Sequence, residues 1–369
     1  MPLYVDVHVL QTVPPSNLNR DDAGSPKQAV FGGVRRARVS SQAWKRATRQ
    51  GFAGLADAPD LSLGTRTKRL RQLLEERFVA AGQDAAAAEQ WSEQCITALG
   101  ITADKGKKTT AYLLFLGLAQ VDELARVVQA ARDGDNEPTA DQLRPVLATG
   151  HSVDVALFGR MVADLATLNV DAATQVAHAL STHAVEIEFD YFTAVDDQNE
   201  ASETGAGMIG TVEFSSATLY RFATVGVHQL SDNLDGDPAA TLAALKAFLL
   251  SFVTSMPTGH QNSFAHRTRP DLVTLVVRTD QPVNLVSAFE DPVPAPGIVQ
   301  TSVARLAAEL ARGSELWGNP PELVVTTYQP RDAAAEPDLP ALGERAAFPD
   351  AVEQVCRLVG GRLAEPVRT

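Results

Sequence analysis

Leu3, Val5, Val7 and Val9 alternate with Tyr4, Asp6 and His8 at the start of the chain. A period of two predicts a β-strand with one buried face. Residues 14–27, PPSNLNRDDAGSPK, are dense in turn formers and predict a long loop. VRRARV, residues 34–39, reads as a short strand on which Arg36 and Arg38 share a face. Ser40 or Ser41 then caps a helix, SQAWKRATRQ. On that helix Gln42, Lys45, Arg46 and Arg49 fall at i, i+3, i+4 and i+7, one polar, cationic stripe.

Residues 53–64 read as a linker. Helical patterns follow in TKRLRQLLEERFVAAG, DAAAAEQWSEQCITAL and AYLLFLGLAQVDELARVVQAARDG, broken by a basic loop, ADKGKKTT. These alanine-rich segments predict a helical insertion over about 66–148 rather than a continuation of the sheet. VDVALFGRM, residues 153–161, reads as a strand, DAATQVAHALSTH as a helix and AVEIEFDYFTAV as a strand. Residues 196–210 are polar and glycine-rich except for Met208 and Ile209, and predict an arm projecting between two strands. The strand TLYRFATVGV, the helix PAATLAALKAFLLSFVTSM, the strand DLVTLVVRT, the helix SVARLAAELARG and the strand ELVVTTY come next. A coil then leads to a last helix near 349–360. The alternation predicts an α+β fold around a mostly antiparallel sheet.

Composition sharpens this picture at one place. The 369 residues carry a net charge of −13, yet residues 31–50 hold six cations and no carboxylate. A local basic band in an acidic body predicts a polyanion held along one defined path, and phosphates suit the helix start at Ser40, Ser41 and Gln42. Nothing in the band reads a base edge, so sequence-independent binding is expected. The two cysteines, Cys95 and Cys356, have no motif spacing, and no histidine pair has the spacing of a helical zinc site. No Walker loop, C-x-x-C or nucleophile elbow is present, so no cofactor, metal or catalytic residue is expected. The acid pairs Asp21–Asp22 and Asp196–Asp197 have catalytic appeal, but Asp is also favoured in turns. No apolar run is long enough for a membrane helix and no secretory signal is evident, so a cytoplasmic protein is expected.

The segment VHVLQTVPPSNLNRDDAGSPKQAVFGGVRRARVSSQAWKRA resembles the opening of the CasC family. CasC is the backbone subunit of Cascade, the type I-E CRISPR surveillance complex. The resemblance continues through DVALFGRM, AHALSTHAVEIEFDYFTAVDD, GTVEFSSATLYRF and AFE. It implies a right-hand architecture. An RRM-like, ferredoxin-type palm (1–59, 151–190 and 214–369) would carry helical fingers (60–150) and a thumb hairpin (191–213). It also implies head-to-tail assembly of copies along the CRISPR RNA, which is presented for pairing with target DNA. The other Cascade subunits, CasA, CasB, CasD and CasE, would be further partners.

Carried over by position, the guide-backbone contacts fall on Arg20, Lys27, Ser40, Gln42, Lys45 and Arg49, where the family often has lysine at the last. The basic strand and helix add Arg36, Arg38, Ser41 and Arg46 to the expected RNA face. Met161 would pack against guide bases, and Met208 and Ile209 near the thumb tip would wedge between them. Lys105, Lys107 and Lys108 form either a contact to target DNA or a solvated loop. Two alternatives stay open. One is an RNA endonuclease using Asp21 or Asp22; the other is an RRM-like module acting alone, against which no aromatic-rich RNP-type strand is seen.

Overall fold

The computed structural model describes residues 2–55, 61–104, 106–162, 164–194, 208–329 and 339–365. The fold is α+β. The first strand, β1 (Tyr4–Ser16), is followed by a hairpin of β2 (Gln28–Phe31) and β3 (Val34–Val39) and by helix α1 (Ser41–Gly51). A short ribbon of β4 (Gly64–Thr67) and β5 (Leu114–Gly117) brackets helices α2 (Leu70–Ala80) and α3 (Ala85–Leu99). Helices α4 (Leu118–Asp133), α5 (Ala140–Ala148) and α6 (Val153–Phe158) follow. Then come β6 (Thr174–Val176), β7 (Ala179–Ser181), β8 (Glu188–Ala194) and the long β9 (Met208–Gly226). After α7 (Val227–Asn233), α8 (Pro238–Thr254) and the single turn α9 (Gln261–Phe264) come β10 (Leu272–Arg278) and α10 (Ile298–Trp317). The chain closes with β11 (Leu323–Tyr328), β12 (Glu344–Arg345) and α11 (Phe348–Ala364).

The sheet runs β12-β11-β10-β1-β9-β7-β3-β2, with β6 and β8 also paired to β9. All pairs but β11–β12 are antiparallel. β9 does two jobs. Residues 215–226 pair with β1, and residues 208–214 leave the sheet as a ribbon with β8. Of the arm expected over residues 196–210, residues up to 207 lie outside the described residues, and 208–210 begin β9.

The strand at the chain start is buried on both faces, not one. Val5, Val7 and Val9 pack under α1, α8 and α11 with Trp44, Phe248, Phe252 and Val355. On the other side Leu10 joins Tyr220, Phe222, Phe289 and Val303 beneath α10. Asp6 and His8, expected to face solvent, are therefore covered. A separate core of Leu74, Phe78, Leu99, Leu124, Val128 and Leu143 holds α2 to α5 together.

Three local expectations are corrected. Residues 153–158 form helix α6, not a strand: they are a short apolar run buried all round, in which periodicity carries no information. Residues 174–176 and 179–181 are strands, not helix, because the exposed edge of β9 supplies their hydrogen-bond partners. Residues 114–117, within an expected helix, pair with β4 instead.

Arg221 on β9 is fully buried between two aromatic rings. Its guanidinium carbon lies 3.8 Å from the Trp44 ring centre and 4.7 Å from that of Phe252. It donates to Gln11 Oε1 at 2.6 Å and to the Phe252 carbonyl. Burial pulls its pKa down to about 9. The arrangement ties α1 and α8 to the sheet. Arg221→Ala is expected to cost about 3 kcal/mol or more in urea unfolding, because a large buried side chain is lost and two acceptors lose their donor. Trp44→Ala should cost about 3–5 kcal/mol. The double variant should show coupling of about 1–2 kcal/mol; strict additivity would mean that the stack is incidental.

Asp6 and His8 give a second test. Burial raises the Asp6 carboxyl to about 7, although Oδ2 accepts from the Val283 N–H at 2.9 Å. Burial lowers His8 to about 3; its Nδ1 takes the hydroxyl hydrogen of Tyr220 at 2.9 Å, and Tyr220 in turn accepts from the Leu285 N–H. The unfolded chain releases the Asp6 proton near 3.8 while the folded chain keeps it, so that group's contribution falls as pH rises from 3.8 to about 7. The unfolded chain protonates His8 near 6.5 while the folded chain does not, so that contribution falls as pH drops from 6.5 to about 3. The two slopes, each about 1.4 kcal/mol per pH unit, oppose each other through the shared window. Relative to the parent, Asp6→Asn should gain stability as pH rises from 4 to about 7, and His8→Gln should gain it as pH falls from 6.5. Parallel pH profiles for parent and variants would contradict this.

Candidate nucleic-acid interface

The site is built on a hairpin, a loop and a helix. Gly32 and Gly33, at φ +59° and +76°, turn β2 into β3. A Cβ on Gly32 would lie 1.6 Å from the Glu290 carbonyl oxygen, so the turn also needs the missing side chain. The hairpin is pressed onto the body by Arg36. This guanidinium is fully buried and donates to the carbonyls of Phe31, Ser181, Phe289 and Glu290 at 2.8–3.1 Å. Arg36 was expected on the RNA face and is instead a buried clamp, with four of its five N–H hydrogens donated to main-chain carbonyls. Arg38 is half-buried; it donates to the Gln28 carbonyl at 3.1 Å and to His178 Nδ1 at 3.2 Å.

Asn19 gathers three of the expected residues. Its carbonyl accepts from the Lys27 N–H at 2.9 Å, and its side-chain oxygen accepts from the Ser40 N–H at 2.9 Å. The Lys27 carbonyl accepts from the Arg38 N–H at 2.9 Å. Ser40 is the cap of α1: its hydroxyl oxygen accepts from the Ala43 N–H at 3.3 Å. Helix geometry leaves the N–H groups of Ser41 and Gln42 without an acceptor inside α1. In the same loop Arg20 donates to His260 Nε2 at 3.0 Å, and Asp21 Oδ1 accepts from the N–H groups of Ala23 and Ser25 at 2.9 and 3.0 Å.

Behind the cap, Trp44, Ala47 and Thr48 bury one side of α1, leaving Gln42 and Arg46 exposed and Lys45 and Arg49 half-buried. Arg66, on β4, joins them. Its guanidinium stacks 4.8 Å from the Phe115 ring centre, and that of Arg49 lies 5.2 Å from the same ring. Burial and the charge of Arg66 hold Lys45 below its ordinary pKa. Arg49 is lowered by burial, then by Arg66 and Arg46, with Asp154 opposing. Among the described residues, Lys27, Arg35, Arg38, Lys45, Arg46, Arg49 and Arg66 form no ion pair. Several cations of the helical insertion do: Arg71 meets Glu75, Glu89 and Glu93, and Arg77 meets Asp122. Crowded like charges without a counter-ion make a site for a polyanion.

Arg66 carried no helical or strand stripe that marked it in the sequence; its role follows from the β4–β5 pairing. Exposed aromatics on β8 were also missed. Phe189 and Tyr191, two residues apart on one face, are 66% and 63% exposed. Met161 stands 82% exposed beside the buried Arg160. Met208 and Ile209 open β9 opposite Ala194 and Thr193, and their side chains lie outside the described residues. In the basic loop of the insertion, Lys107 pairs with Asp104 at 3.3 Å and Lys108 with Glu89 at 2.6 Å, while Lys105 lies outside the described residues. No group of three metal-ligating side chains occurs among the described residues, and no helix there is long and apolar enough to cross a membrane.

The family model of CT1975-like proteins matches residues 5–354. A chain from a solved structure described as a CRISPR RNA-guided surveillance complex, pre-nicking, is 34% identical, with a TM-score of 0.86; the match covers 96% of this chain and 100% of that one. A second, from a CRISPR RNA-guided surveillance complex, is 29% identical with a TM-score of 0.75, covering 96% and 99%. No curated protein matches. With nearly its whole length shared in sequence pattern and in backbone, the chain belongs to the CT1975-like family of Cas proteins, the CasC-like relatives that its opening segment resembles.

Proposed function

We propose that this chain is a non-catalytic backbone subunit of a type I-E Cascade complex, binding the phosphate backbone of a CRISPR RNA across the start and outer face of α1. The observation that carries the reading is the set of cations without counter-ions around the Ser40 cap: Lys27, Arg38, Lys45, Arg46, Arg49 and Arg66. Charge and free N–H groups act on phosphate whatever the base, which suits a subunit that must hold any spacer. The RRM-like palm would be the sheet with α1, α8 and α11. The β8–β9 ribbon would be the base of the thumb, with Phe189 and Tyr191 as stacking surfaces for bases of RNA bound to a neighbouring copy. Head-to-tail copies would then present the guide for pairing with target DNA, alongside CasA, CasB, CasD and CasE. Asp21 favours this over the endonuclease reading, because one of its oxygens closes its own turn through two N–H groups.

Lys45→Ala with Arg49→Ala should weaken RNA binding equally for unrelated spacers. The slope of log affinity against log salt should fall by about 1.4, at about 0.7 per phosphate contact on a single strand. A loss confined to one spacer would contradict a backbone contact. Replacing Phe189 and Tyr191 by Ser should leave thermal stability within about 0.5 kcal/mol, since both are exposed. It should reduce the number of copies retained per guide, read by native mass spectrometry; unchanged loading would remove the ribbon from the interface.

A further inference from the structure

Residues 257–270, PTGHQNSFAHRTRP, hold two arginines and two histidines and no carboxylate, far in sequence from the α1 band. The loop is built rigidly. His266 is buried and its Nε2 donates to the Pro257 carbonyl at 3.1 Å, closing residues 257–266 on themselves. Gly259 lies so close to the loop after β1 that a Cβ there would sit 2.3 Å from the Leu18 carbonyl oxygen. Thr268 is pinned to β1: its hydroxyl donates to the Thr12 carbonyl at 2.7 Å, and its own carbonyl accepts from Gln11 Nε2 at 2.9 Å. Arg267 and Arg269 flank that anchor. Both are exposed, and neither forms an ion pair among the described residues. The Arg20–His260 hydrogen bond joins this loop to the loop that holds Lys27 and Ser40.

The geometry points to a second phosphate-binding arm: we infer that Arg267 and Arg269 contact the backbone of the same RNA strand where it passes beyond Arg20. This rests on the reading of the α1 face as the guide-binding surface. Thr268 already orders the main chain between the two cations, so binding an anion costs side-chain freedom without ordering the loop as well. Their margin is continuous with the α1 face through Arg20, whereas an acidic face of another copy would have to be met by these two residues alone.

The test uses the full chain and single-stranded RNA of arbitrary sequence, with affinity measured across a salt series for the parent and three double variants. Arg267→Ala with Arg269→Ala should lower affinity several-fold at physiological salt and reduce the salt slope by about 1.4. Arg267→Lys with Arg269→Lys, which keeps both charges, should retain the parental slope. Lys45→Ala with Arg49→Ala serves as the reference. An unchanged slope in the 267/269 alanine pair, with a reduced slope in the 45/49 pair, would overturn this inference and leave the main reading standing. Unchanged slopes in both would overturn both. Equal losses in the alanine and lysine pairs would show that charge is not the cause, and would also overturn it. Sedimentation without RNA covers the other partner class. Weaker self-association of the 267/269 alanine pair with its RNA slope intact would assign the two arginines to an acidic face of a neighbouring copy instead.

Discussion

A guanidinium sealed inside the protein holds the cationic helix α1 in place. Arg221 reaches from β9 through the main core to stack on Trp44 of α1 and Phe252 of α8. A charge so deeply buried is tolerated only where aromatic faces and hydrogen-bond acceptors surround it. That requirement fixes the rotation of α1. With Trp44 turned inward onto Arg221, helical spacing turns Gln42, Lys45, Arg46 and Arg49 outward. A second link acts at the other end of the helix, where Ser251 of α8 donates to the Thr48 carbonyl at 2.6 Å. The cationic face is thus set by the core behind it.

The same chain uses arginine in two opposed ways. Arg36, Arg160 and Arg221 are buried and satisfied largely by neutral carbonyl or amide oxygens, so they lock loops and helices without carboxylates. Arg46 and Arg66 instead lie near Arg49, and burial, with these like charges added, lowers the proton affinity of Lys45 and Arg49. Like charges held together on a rigid frame repel in the free protein, and a phosphate chain relieves that repulsion on binding. On the helical insertion several cations are instead paired with neighbouring acids, as Arg71 is with Glu75 and Lys108 with Glu89. Unpaired cations thus crowd around α1 in a protein whose net charge is −13.

β9 connects the core to the ribbon. Its inner part pairs with β1 in the centre of the sheet, and its outer part carries β8 away from it. Exposed Phe189 and Tyr191 therefore sit on a strand pair rooted in the most buried part of the fold. The anchoring gives the ribbon a defined direction, with its aromatic side chains on an arm and not in a core.

Local chemistry was legible in the sequence where it depends on neighbours a few residues away. The Ser40 cap, the α1 stripe, the hydrophobic alternation of β1 and the absence of carboxylates in residues 31–50 all follow from spacing along the chain. The long opening segment likewise placed the chain in its family. Tertiary structure decided what depends on contacts between distant segments. Arg36 and Arg38 share a strand face by parity, yet a loop some 250 residues later buries Arg36 and makes it a clamp. Residues 174–181 become strand because β9 offers an unpaired edge, and residues 153–158 become helix because they are enclosed on every side. Arg66 joins the cationic face of α1 because β4 pairs with β5 and sets its guanidinium against the Phe115 ring. Periodicity reports how a segment meets water, and it carries no information about which remote backbone will cover it.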